Sequence, residues 1–172
     1  MNEVVKSIVE RSSCNKYKPE HVGVENLEKI VRAGLNAPTG GNKQTPRFVL
    51  VSNDEMVKKL SYMNAAVGGR FDIDPFYGAP DVILCLAKKE GTWVQDGSLA
   101  MGNMLNAAYA MGLGARWINR CKEMFESEEG KALLKEWGIE EDVEGIGCCI
   151  VGYPDMVLET KEKVPGRVYY VK

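Results

Sequence analysis

Val4, Val5, Ile8 and Val9 fall on one side of a helix drawn between Asn2 and Arg11. That is the i, i+3, i+4 spacing of an amphipathic stripe. Leu27, Ile30, Val31 and Gly34 repeat it between Val24 and Leu35. The period then changes. Phe48-Val49-Leu50-Val51 is an unbroken apolar run of strand length, which predicts a buried strand, and Ser52-Asn53-Asp54 closes it with residues that cap a following helix. Met56, Val57 and Leu60 mark the apolar side of that helix, expected to end near Asn64. Met63 to Gly78 fits neither period and is expected to be a mobile segment over a pocket.

Val82 to Leu86 predicts a second, fully buried strand. The longest helical pattern runs from about Trp93 to Met111, with Met101, Met104, Leu105 and Ala108 on one stripe. It is also dense in small residues, Gly97, Ser98, Ala100 and Gly102 among them, which let another helix approach closely. That places it at the middle of the core, at a subunit interface, or both. Gly112 ends it as a helix-stopping glycine. Ala115 to Ile118 and Ile146 to Gly152 read as strands, and Glu126 to Trp137 as a surface helix capped by Ser127. Val164 to Val171 has a strand pattern but no local hairpin partner, so its pairing edge is expected elsewhere, a second subunit being one source.

A chain of 172 residues fits one domain spanning 1–172, with no linker, repeat or low-complexity tract. A net charge of −2 disfavours a nucleic-acid surface, and no apolar run reaches the length of a membrane span. The acidic start and the missing span lead to an expected cytoplasmic location. Cys14, Cys85, Cys121 and the adjacent Cys148-Cys149 have no metal-like spacing, and His21 is the sole histidine, so neither a metal site nor a catalytic triad is expected. Cys14 and Cys121 sit among polar residues, where a reactive thiol stays open. Neither G-x-G-x-x-G after a first strand nor a phosphate-binding G-x-x-x-x-G-K-[ST] loop is present. Any chemistry is expected to belong to a borrowed cofactor.

Three stretches carry polar groups beyond what a connector needs. Ala37-Pro38-Thr39-Gly40-Gly41-Asn42-Lys43-Gln44-Thr45-Pro46 combines two φ-fixing prolines, two glycines and two amides, suiting a flat polar ligand as well as a plain turn. Arg11-Ser12-Ser13-Cys14-Asn15 gathers a guanidinium, two hydroxyls and an amide, a donor set for an anion or a solvated turn. Gly112-Leu113-Gly114 could bring a backbone N–H toward a planar ligand, or simply ease the turn.

Taken in order along nearly the whole chain, these stretches, Gly152-Tyr153-Pro154 and the late Arg167 resemble the FMN-dependent nitroreductase family, in a small form without the lid insertion of larger relatives. The resemblance implies an α+β fold with a mainly antiparallel sheet flanked by helices, in a homodimer that exchanges C-terminal strands and holds FMN at its interface. Carried over by position, Arg11, Ser13 and Arg167 would hold the phosphate and ribityl chain, with Ser12 beside them and Asn15 near the N1/O2 edge of the flavin. Pro38, Thr39, Gly40, Asn42 and Gln44 would come from the other subunit to frame the ring, and Leu113 and Gly114 would face flavin N5. No side chain is then catalytic, the chemistry lying at the flavin. NADH or NADPH would reduce it, and a nitroaromatic, quinone or similar acceptor would reoxidise it by a ping-pong relay.

Departures from the family pattern matter. Asn15 and Ser12 stand where basic residues are frequent, and Pro165 where a lysine often precedes the late arginine. A lower flavin potential is expected unless another cation, such as Lys16 or Arg70, substitutes. A protein that stores or senses FMN with little turnover is the alternative, and a cofactor-free interaction domain is the third reading.

Overall fold

The computed structural model describes every residue from Met1 to Lys172. Its strands are β1 (Pro46–Val51), β2 (Asp81–Lys88), β3 (Gly114–Ile118) and β4 (Val143–Gly152). They form one antiparallel sheet in the order β1-β2-β4-β3. The helices are α1 (Glu3–Glu10), α2 (Val24–Leu35), α3 (Asp54–Val67), α4 (Trp93–Ala110), α5 (Cys121–Glu126) and α6 (Glu128–Glu136). The chain is therefore α+β, a sheet with helices on both faces, as expected.

Between their charged ends the two central strands are apolar, Val82 to Ala87 in β2 and Gly145 to Gly152 in β4, because both their faces are covered. Val82, Leu84 and Leu86 of β2, with Cys148 and Ile150 of β4, pack among Leu60, Met124, Phe125 and Leu133 from α3, α5 and α6. The alternate residues Ile83, Cys85, Cys149 and Val151 meet Leu27 and Ile30 of α2 and Met101, Met104 and Ala108 of α4. Each of these large side chains contributes about 1.5–3 kcal/mol by leaving water. Asn53 caps α3 by accepting from the Met56 N–H at 2.9 Å, and Ser127 caps α6 by accepting from the Gly130 N–H at 3.0 Å.

Several expectations need correction. β1 is half-buried, because it lies at an edge of the sheet and has only β2 beside it. α3 continues to Val67, and the residues after it form an ordered turn, with the Asp74 carboxylate accepting from the Ser61 hydroxyl and the Phe76 and Gly78 N–H groups. The helix expected over Glu126 to Trp137 is α6, capped by Ser127 as expected, while the short α5 just before it was not anticipated. All five cysteines are buried, Cys14 and Cys121 completely, so neither thiol is open to solvent. Burial pushes the Cys149 thiol up to about 12.

Two regions stay largely uncovered within the chain. α1 buries none of its residues, and Val4, Val5, Ile8 and Val9 stay 45–68% exposed. The tail beyond Asp155 forms no strand, and Val164, Val168, Tyr169 and Tyr170 are exposed.

Candidate functional site

Arg11 to Tyr17 leaves α1 and lies across the ends of β3 and β4. The Cys14 N–H donates to the Ala115 carbonyl at 3.2 Å, Lys18 N–H to Tyr153 O at 2.9 Å, and Asp155 N–H to Lys16 O at 2.9 Å. Gly114 makes this approach possible, since a Cβ there would stand 2.7 Å from Cys14 Sγ. Tyr17 is anchored by donating from its hydroxyl to the Cys14 carbonyl at 3.0 Å, and burial raises its pKa further above the phenol range. The fold thus gathers Arg11, Ser12, Ser13 and Asn15 beside Leu113 and Gly114. Arg47 is the one arginine paired with a carboxylate, so the Arg11 guanidinium has no counter-charge in the chain.

The Gly112-Leu113-Gly114 turn serves packing more than donation. Gly112 N–H bonds to Tyr109 O and Leu113 N–H to Ala108 O, each at 2.9 Å, which closes the C-terminal end of α4. These two N–H groups are engaged within the chain. Arg167 lies exposed in the tail, its Nε donating to Val164 O at 3.1 Å.

Pro38 to Gln44 lies at the other end of α4. Asp96, in the first turn of that helix and 2% exposed, accepts from Gly40 N–H at 3.0 Å, Thr45 Oγ1 at 2.8 Å and Thr92 Oγ1 at 2.9 Å. Burial works to raise its pKa, and these three donors outweigh it and bring the pKa below the usual aspartate value. A side chain at Gly40 would collide with Thr92, so the glycine is what lets the loop reach the carboxylate. Thr39 Oγ1 accepts from Gln44 N–H at 3.0 Å, and Asn42 and Gln44 are held at φ 54° and 50°, left-handed backbone that these residues adopt at a cost. Beside the loop opens a cavity of about 370 Å³ lined by Leu35, Thr39, Gln44 and Phe48. Sequence reasoning did not mark Asp96. Its signal was a lone carboxylate at the start of a helix otherwise built of small and apolar residues.

The span of α4 decides how these parts relate. Eighteen residues rise about 26 Å, so the Pro38–Gln44 loop and the Arg11–Asn15 segment cannot reach one small ligand within a single chain.

A further feature lies where β3 runs out. Arg120 adopts φ 71°, ψ 11°, left-handed without being glycine, and its N–H bonds to nothing in the chain. Asn64, buried on α3, fixes the turn by donating to the Asn119 carbonyl at 2.6 Å. An edge strand therefore joins the Arg11–Asn15 donors to an open backbone donor roughly 15–20 Å away, at about 3.3 Å per residue. The sequence offered no glycine or proline here to draw attention to it.

The Nitroreductase family model matches residues 8–74. A protein of Archaeoglobus fulgidus that carries the name of an NADH dehydrogenase/NAD(P)H nitroreductase is 32% identical over 160 residues, covering 90% of this chain and 87% of its own. The chain belongs to the nitroreductase family. A second such relative, from Methanothermobacter thermautotrophicus and of the same name, is 31% identical and covers 99% of this chain and 87% of its own. Among solved structures, a nitroreductase with bound FMN from Bacteroides fragilis superposes with a TM-score of 0.90 at 25% identity, covering all of both chains. This nitroreductase-family chain thus shares its fold with that protein from end to end.

Proposed function

We propose that this chain is an FMN-dependent oxidoreductase that takes reducing equivalents from NADH or NADPH and passes them to nitroaromatic, quinone or similar acceptors, working as a homodimer. The observation that carries the proposal is the separation along α4 of two polar half-sites, each with donors left over. Its support from comparison is the FMN-bound protein of the same fold. Membership in the family adds a prior for redox chemistry.

The donor set fits FMN. Arg11, Ser12 and Ser13 offer a guanidinium and hydroxyls without a carboxylate competitor, which suits a phosphate dianion and a polyol. Asn15 adds an amide and no charge. Gly114 keeps the segment against β3, and the Arg120 N–H, in place of the Leu113 donor, is the backbone group free to face the ring's polar edge. Pro38, Thr39, Gly40, Asn42 and Gln44 of the partner subunit would frame the ring, held by that subunit's Asp96. The tail, with Arg167, would cross to the partner and find there the strand edge it lacks. Bound FMN would supply the hydride chemistry. The chain's own part is to bind, orient and exclude water, consistent with a site that has no histidine.

No helix is long and apolar enough to cross a membrane. We place the reaction in the cytoplasm, where reduced nicotinamide is made and where unpaired thiols persist.

The test is an absorption spectrum of the protein reconstituted with FMN, followed by anaerobic addition of NADH or NADPH. Stoichiometric flavin binding and bleaching within seconds are expected. Flavin that binds but bleaches over hours would favour storage or sensing, a reading supported by the uncharged Asn15. Failure to bind FMN at micromolar concentration would sink both. Asn42→Ala is expected to release FMN while the chain stays folded by circular dichroism. Full retention of flavin would return the loop to a purely structural role.

A further inference from the structure

Beyond the turn at Arg120 lies a cavity of about 300 Å³, at the small end of ligand sites. Arg70, Arg116 and Arg120 line it together with the amides of Asn64 and Asn119, and no aspartate or glutamate does. None of the three guanidiniums pairs with a carboxylate, since Arg47 is the only arginine that does. On the far side of the turn, a neighbouring cavity shares Arg120 and is lined by Glu123 and Glu144. Glu144 pairs with Lys122 at 3.0 Å. Three like charges around one concave space repel one another, an arrangement that an anion relieves.

The cations are also held in place. Arg116 Cζ sits 4.7 Å from the centre of the Tyr77 ring, a stacking that leaves its in-plane donors free. Tyr77 is itself held at φ 55°, an outlier for an aromatic residue, by the Asp74 carboxylate that clamps the turn around it. Arg120 lies over Gly68 at the end of α3, where a Cβ would stand 3.2 Å from its Nε, close to the negative pole of that helix. A strained turn that presents a stacked guanidinium to an acid-free cavity is more than a solvated surface needs.

We infer that this cavity selects anionic electron acceptors, aromatic nitro compounds or quinones that carry a carboxylate, with Arg70 and Arg116 as specificity-determining residues. The inference rests on the flavin reading above, because the acceptor must meet reduced FMN near the Arg120 turn. Arg70, earlier a candidate cation for the flavin, lines this cavity with Arg116, and both are assigned to the acceptor's carboxylate and not to holding the flavin.

The experiment compares 4-nitrobenzoate with 4-nitrobenzamide, equal in shape and different in charge. Holoenzyme reduced beforehand with dithionite is mixed with each acceptor, so that no nicotinamide takes part. The wild type is expected to be reoxidised about tenfold to a hundredfold faster by the acid in second-order rate, the worth of charge-assisted hydrogen bonds to a carboxylate. The ratio should fall as salt is raised. Arg116→Gln and Arg70→Gln should each bring it toward one while the amide's rate holds within about twofold. Calorimetry on the oxidised holoenzyme should show the same loss of affinity for 4-nitrobenzoate in the variants, at unchanged flavin content. Equal rates for acid and amide in the wild type, or an acid preference that survives both substitutions, would overturn the inference while leaving the flavin reading intact. Variants that alter the kcat/KM for NADPH but not the acceptor ratio would overturn it too and assign the arginines to the nicotinamide's phosphates. A protein that takes up no FMN, or is reoxidised by neither acceptor, would overturn the flavin reading and the inference with it.

Discussion

Asp96 does at the scale of one residue what the long polar loop cannot do for itself. Asp96→Ala leaves the Thr45 hydroxyl and the Gly40 N–H without their acceptor. At about 1–3 kcal/mol for each orphaned group, a loss of about 2–6 kcal/mol in urea unfolding is expected. Because the Asp96 pKa is depressed, its contribution is complete above the ordinary value of 3.8 and is lost as the pH falls through the lower folded value, so acid should loosen the loop before the core. His21 runs the opposite way. Its Nδ1 lies 2.8 Å from the buried Asp81 carboxylate, with Ser52 and Asp54 also beside it, and the hydrogen bond to Asp81 raises its pKa above 6.5. The stability it adds is therefore full below pH 6.5 and lost as the pH rises through the raised value. Urea midpoints at pH 6 and 8.5 should differ in the wild type and lose that part of the difference in His21→Gln. At Asn15 a lysine would add charge, and Asn15→Lys is expected to raise the flavin midpoint potential measured by dye equilibration.

At the scale of elements, α4 separates its glycines by function. Gly97 faces the sheet, where a Cβ would stand 2.6 Å from Ile146 Cγ1, so Gly97→Ala should cost about 1–3 kcal/mol by overpacking, read in the thermal midpoint. Gly102 meets nothing within 4 Å, and Gly102→Ala should gain about 1 kcal/mol of helix propensity in dilute chain. Both faces of the small-residue pattern were legible in the sequence, and so were α2, β2, β4 and the Ser127 cap, because burial on both sides or a periodic stripe writes itself into residue type. β1 misled, since an apolar run does not say whether a strand has one neighbour or two. α5 went unmarked, because six residues are too few to show a helical period. Of the site, Arg11 to Asn15 and Pro38 to Gln44 could be read from side-chain chemistry. Arg120 could not, because its conformation is imposed by the tertiary contacts of Asn64 and the end of β3. Asp96 was equally hidden, its role depending on a loop about 55 residues earlier in the chain.

The whole molecule leaves α1, one side of α4 and the tail uncovered, and the proposed dimer gives each a place. Ending the chain after Glu159, which keeps the half-buried Leu158, should leave a folded protein with less flavin and a smaller sedimenting mass. A substitution that helps the single chain, Gly102→Ala, should weaken association if the helices cross there, so the two effects of opposite sign can be read by sedimentation at high and low concentration. The rod-like separation of the half-sites along α4 has a genetic consequence. Each site would draw its phosphate end from one chain and its ring frame from the other, so an allele defective at Arg11 and an allele defective at Asn42 should complement. In mixed pairs one site collects both lesions and its twin is whole. Co-expression of the two dead alleles in equal amounts should therefore restore about a quarter of the wild-type sites.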